Sequence, residues 1–134
     1  MDLPRADITT RADVVRLVDS FYDRVRADDL LGPIFDTVAR TDWAVHLPKM
    51  YDFWDTVLFG SAAYHGQPLG VHAALSSRVA LGEREFQRWL GVFMATVDAL
   101  FTGRVAEEAK LRAGRIAAVM LHHVGRARPN AALS

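Results

Sequence analysis

Apolar residues recur at helical spacing through most of the chain. Val14, Leu17, Val18, Phe21, Tyr22 and Val25 fall on one stripe and predict an amphipathic helix. Thr10 suits the N-cap of that helix, and Asp13 lies where a negative charge favours its positive end. The stripe stops at Asp28-Asp29-Leu30-Leu31-Gly32-Pro33, a turn signal, and Ile34 and Phe35 follow in a short piece. His46, Met50, Phe53, Trp54 and Val57 share the face of a second long helix that starts near Thr41 or Asp42 and ends at Gly60. Pro48 falls inside it. Proline is tolerated in a first turn and disrupts a helix interior, so the regular part is expected to begin close to Pro48, after a distorted turn.

Gly60, Gly66 and Pro68 mark a loop. A short helix from Leu69 to about Leu75 would then carry His72. After a second loop, Ser76 to Gly82, a long helix presents Phe86, Trp89, Leu90, Phe93, Val97 and Leu100 on one side, and Gly103 marks its end. A last helix, about Val105 to Val124, would bury Ala109, Ile116, Met120 and His123. No segment shows the period-two alternation of a half-buried strand. The expected class is all-α.

The chain has 134 residues, the size of one domain spanning 1–134, with 1–9 and 126–134 expected as frayed termini. Sixteen basic residues balance sixteen acidic ones. That balance argues against nucleic acid as a partner, because phosphates call for a positive field, and against a polybasic membrane anchor. The absence of cysteine removes disulfides, thiolate metal sites and iron–sulfur clusters. No stretch reads as a secretory leader or a bilayer span, so the cytoplasm is the expected compartment.

Familiar catalytic motifs are missing: there is no glycine-rich phosphate loop, nucleophile elbow or His-Glu-x-x-His run. What stands out is polarity inside apolar stripes. His72 is the one strong ligand type in Pro68-Leu69-Gly70-Val71-His72-Ala73-Ala74-Leu75. A neutral imidazole there can bind a haem iron from one side, although a core or surface histidine satisfied by a hydrogen bond is the more common case. Tyr22 lies on an inner face, where a buried phenol needs a partner, or at the core's edge with its hydroxyl in water. His46 is either inward-facing or a capping residue. Trp89 is either core packing or an indole donor. Together the three could converge on one small polar ligand in an apolar pocket. A flat macrocycle would also account for Phe21, Phe35, Phe53, Trp54, Phe86, Trp89 and Phe93.

In order, Phe21-Tyr22, Leu31-Gly32-Pro33-Ile34-Phe35, His46 with Lys49 and Phe53-Trp54, Tyr64-His65-Gly66-Gln67-Pro68 leading to His72, and Phe86 with Trp89 resemble the group III truncated haemoglobins. The resemblance runs from about Val14 to His122. It implies a shortened globin, helices packed two over two around one haem b. It implies His72 as the iron ligand, and Tyr22, His46 and Trp89 around a bound diatomic ligand such as dioxygen. Phe35 would pack on the haem and Lys49 would pair with a propionate. Met50, Phe53 and Trp54 would line the pocket, and Phe93 joins them from the aromatic stripe. Three donors suit redox chemistry on oxygen, peroxide or nitric oxide better than storage, and that chemistry requires an electron donor. The competing class is a helical interaction module without a cofactor.

Overall fold

The structure, a computed structural model, describes residues 5–38, 40–60 and 82–127. Among them are five α-helices: α1 (Arg11–Ala27), α2 (Leu31–Pro33), α3 (Trp43–Phe59), α4 (Glu83–Leu100) and α5 (Arg104–Ala127). A wide π turn over Ile34–Val38 follows α2. No strand occurs among the described residues. The short helix expected at 69–75 and its flanking loops lie outside them.

Helix α1 forms where the periodicity places it, and all six stripe residues from Val14 to Val25 are buried. Its start is a capping box. Asp13 N–H donates to Thr10 Oγ1 at 3.2 Å, and Thr10 N–H donates to Asp13 Oδ2 at 3.1 Å. At the other end Asp28 turns the chain, its Oδ1 accepting from the N–H groups of Leu30 and Leu31. Arg88 of α4 donates to the other oxygen of the same carboxylate at 2.9 Å. Gly32 belongs there because a Cβ would lie 2.5 Å from the Arg26 carbonyl oxygen. Only glycine lets α2 come that close to α1.

Helix α3 corrects the expectation about Pro48. Asp42 is the N-cap, accepting from Ala44 N–H at 3.2 Å, and the helix is regular from Trp43 with Pro48 inside it. The reason is position. The carbonyl that Pro48 leaves without its helical donor is that of Ala44, which is exposed, so water can serve it. Gly60 closes the helix in the left-handed conformation, φ 71°.

Helix α4 packs on α5 in the most extensive contact, and α1 lies against both α3 and α4. The arrangement is two pairs of helices, α1 with α3 and α4 with α5, one pair over the other. Phe21, Leu17, Val14, Phe93 and Val97 fill the space between the pairs with almost no exposed surface. Each buried side chain of this kind contributes about 1.5–3 kcal/mol. Thr96 is buried among them, its hydroxyl donating to Val92 O at 2.7 Å.

The termini also differ from expectation. Ile8 is fully buried in the core, so residues 7–9 are held rather than frayed. Asp7 accepts from the N–H groups of Val105 and Ala106 at 2.9 and 2.8 Å, and Thr102 N–H donates to Ala6 O at 3.0 Å. The carboxylate of Asp7 thus supplies the cap that Gly103, just before α5, has no side chain to make. A Cβ at Gly103 would strike that carboxylate at 2.5 Å. At the far end α5 continues through Ala127, so Arg126 and Ala127 belong to the helix.

Candidate functional site

The polar residues singled out by the sequence meet at the corner where α1, the π turn and α3 converge. Tyr22, two-thirds along α1, is turned inward by the stripe it belongs to and is 6% exposed. His46 sits one turn into α3, with ring centroids 5.2 Å from Tyr22 and planes at 81°. Its Nε2 is a buried atom. Phe35, in the π turn, closes on Tyr22 at 6.2 Å. The structure therefore brings Tyr22, His46 and Phe35 together.

Trp89 reaches the same region from α4. It meets Phe21 edge-to-face at 5.5 Å, and Phe21 in turn meets Tyr22 at 4.8 Å. One phenylalanine thus bridges the phenol and the indole. Behind them Phe93 stacks on Trp54 at 4.8 Å and on Trp89 at 5.9 Å. Phe93 has no exposed surface, so it backs the aromatic wall from within the core. Met50 and Trp54 are buried and Phe53 is half-buried, its ring 5.5 Å from Trp54. Lys49 is exposed on α3. His72 lies outside the described residues, as do Tyr64, His65, Gly66, Gln67 and Pro68.

Burial alone raises the Tyr22 phenol well above its ordinary range. A phenol already holds its proton at physiological pH, burial only reinforces this, and the hydroxyl can donate. Tyr51, on the neighbouring turn of α3, is pushed up to about 12 by burial and by its hydrogen bond to Asp19. That pair ties α3 to α1 beside the corner.

Trp43 is the residue that sequence reasoning missed. Its ring lies 5.3 Å from Tyr22, 5.6 Å from His46 and 6.0 Å from Phe35. The signal was present as Trp43-x-x-His46, since residues three apart share a helix face. Its place at the first helical position, one step before the stripe as read from His46, hid it.

A depression of about 590 Å³ lies elsewhere, bounded by Asp28, Arg84, Arg88 and Val92. It is open to solvent and polar at its rim, so it cannot exclude water from an apolar ligand. The aromatic corner is the candidate site. A haem is a flat, mostly apolar plate with two carboxylates. Its demands include an apolar ring-lined wall and few donors, and the residues at this corner fit those.

Helices paired two over two with buried donors at a ring-lined corner define a shortened globin. The sequence profile described as bacterial-like globin matches residues 7–123. The chain is 32% identical over 107 residues to the group 3 truncated haemoglobin ctb of Campylobacter jejuni, covering 78% of this chain and 82% of that one. The crystal structure of a group III truncated haemoglobin from Campylobacter jejuni superposes with a TM-score of 0.77 at 27% identity, covering 90% of this chain and 94% of the other. The chain belongs to the bacterial-like globins, among the truncated haemoglobins of group III. Membership of that family carries haem and the binding of a diatomic ligand. No helix among the described residues is long and apolar enough to cross a membrane.

Proposed function

We propose that this globin holds one haem b per chain and uses it for redox chemistry on oxygen, peroxide or nitric oxide rather than for oxygen storage. The observation that carries the reading is the buried phenol of Tyr22 beside the imidazole of His46 on an aromatic wall. A phenol largely withdrawn from water costs free energy unless a partner compensates. A polar ligand at the corner would be such a partner.

The haem supplies an iron with a coordination position for a diatomic ligand. In this reading His72 binds the iron, Lys49 pairs with a propionate, and Phe35, Met50, Phe53, Trp54 and Phe93 build the apolar wall. Tyr22 Oη, a phenol that holds its proton at neutral pH, donates to the ligand. Trp89 Nε1–H can only donate, so it grips an electron-rich ligand without competing for its proton. The aromatic wall excludes water, which strengthens each of these hydrogen bonds. A ligand held by several donors leaves slowly and remains for electron transfer. Tyr22 and the imidazole of His46 are the proton-bearing groups beside it. Turnover then depends on an electron donor.

The test is the visible spectrum of the purified protein, ferric and then ferrous with carbon monoxide, beside that of His72→Ala. The expected result is an intense Soret band in the wild type that is lost or strongly altered in the variant. A folded protein that shows no band even after haem is added would instead be a cofactor-free helical module.

A further inference from the structure

We propose that Trp43 is a positioning residue, latched by Asp36 and Arg26, that holds His46 over the pocket and sets how fast a ligand enters. The inference rests on the haem reading above and concerns a side chain that touches no reacting atom.

Trp43 is fixed from several sides. Its Nε1–H donates to Asp36 Oδ1 at 2.8 Å. Arg26 Nε lies 3.3 Å from the same oxygen, and its guanidinium carbon stands 5.0 Å over the Trp43 ring. The rings of Phe35 and Tyr22 press on it at 6.0 and 5.3 Å. The latch therefore ties three separate pieces of chain: the end of α1 through Arg26, the π turn through Asp36, and the start of α3 through Trp43 itself.

His46 stands three residues further along α3, on the same face, edge-on to Trp43 at 5.6 Å and 79°. In this proposal an imidazole that swings away from Tyr22 on this side meets the indole. While Trp43 is latched, its ring fills the space the imidazole would need. When the latch opens, the start of α3 loses its side-chain tie to the turn and keeps the backbone bond from Thr41 N–H to Phe35 O at 2.9 Å. The three latch residues are half-buried or exposed. Their ion pair on its own stabilises little, so their arrangement around one indole is better explained by placement than by stability. Opening is cheap and local, as a gate requires.

The probe is carbon monoxide rebinding to the haem-loaded ferrous protein after flash photolysis. Trp43→Phe keeps an aromatic ring but removes the indole donor and part of the ring's bulk, whereas Asp36→Ala removes the acceptor and leaves the indole in place. Each is expected to raise the association rate about tenfold, a barrier change of about 1.4 kcal/mol. The double variant is expected to be no faster than either single one, because both break the same bond. Arg26→Gln should give a smaller rise. Arg11→Gln, which breaks the α1–α3 surface pairs to Asp52 and Asp55, should leave the rate unchanged.

A second readout follows His46 directly. In the diamagnetic carbon monoxide form its imidazole resonances should be single in the wild type, and broadened or doubled in the latch variants. A merely structural role for Trp43 would lower Tm and leave both the rate and these resonances alone. Unchanged rates and resonances in folded, haem-loaded Asp36→Ala and Trp43→Phe would overturn the gate while the Soret band upholds the haem. If Trp43→Phe does not fold, Asp36→Ala and Arg26→Gln decide the matter. A wild type without a Soret band would remove the haem reading and the gate with it.

Discussion

The seam between α4 and α5 and the corner between α1 and α3 are built on opposite terms. On the seam, α5 offers a row of small buried side chains, Ala106, Ala109, Ala113 and Ala117. Spaced three and four apart, they make one smooth face that α4 can approach closely. Polar groups there are satisfied: Thr96 donates to Val92 O, and Asp7 takes the first N–H groups of α5. At the corner stand rings that carry polar atoms, the hydroxyl of buried Tyr22 and the nitrogens of half-buried His46 and Trp43. A domain optimised for stability alone would repeat the first solution everywhere. Departure from local rules is expected where a site is built, so the seam carries the fold and the corner carries the chemistry.

The largest expected effect breaks the joint between the two. Phe93 has rings from α1, α3 and α4 against it. Phe93→Ala should destabilise the protein by about 3–5 kcal/mol, the range for emptying a large aromatic site in a core, measured by urea unfolding. It should disturb the pocket as well, because Trp54 and Trp89 lose the ring between them. Next is Tyr22→Phe, which removes one oxygen from the corner and leaves the seam alone. A hydrogen bond to a ligand with charge character is worth about 1.5–3 kcal/mol. The oxygen dissociation rate, followed by stopped flow, should therefore rise between about tenfold and a hundredfold. Stability in the haem-free form should hold or improve slightly, since a buried hydroxyl is gone. An unchanged dissociation rate would take Tyr22 out of the mechanism.

Features that depend on near neighbours in the chain were legible beforehand. The stripe from Val14 to Val25, the Thr10–Asp13 cap and the Gly60 stop are settled within a few residues of themselves. So is the inward face that carries Tyr22. Features that depend on a distant partner were not. Residues 7 and 8 read as a loose start because the groups Asp7 meets lie about a hundred positions away, at Val105 and Ala106. Trp43 gains its meaning from Asp36 and Arg26, which no periodicity connects to it. Pro48 misled for a different reason. The helix runs through it, and the hydrogen bond it forgoes is that of Ala44, an exposed residue where water can take the donor's place.

The smallest expected effect is also the cleanest separation of seam from corner. Burial works against ionisation of Asp7, but hydrogen bonds from the backbone N–H groups of Val105, Ala106, Ile8 and Arg104 outweigh it and hold the carboxylate below its ordinary value. The folded state thus prefers the ionised form more than the unfolded chain does. The stabilisation is complete at neutral pH and is lost as the pH falls through the lowered folded value. Asp7→Asn should cost about 1–2 kcal/mol at pH 7, as the loss of a charged helix cap does. The gap between wild type and variant should stay constant down to about pH 5 and then close on further acidification. Thermal unfolding of both proteins across that range measures it. Oxygen dissociation should be the same in both, because the cap lies at the start of α5, away from the rings. A variant that lost stability and also released oxygen faster would show that the seam strains the corner, and the division of labour between them would fail.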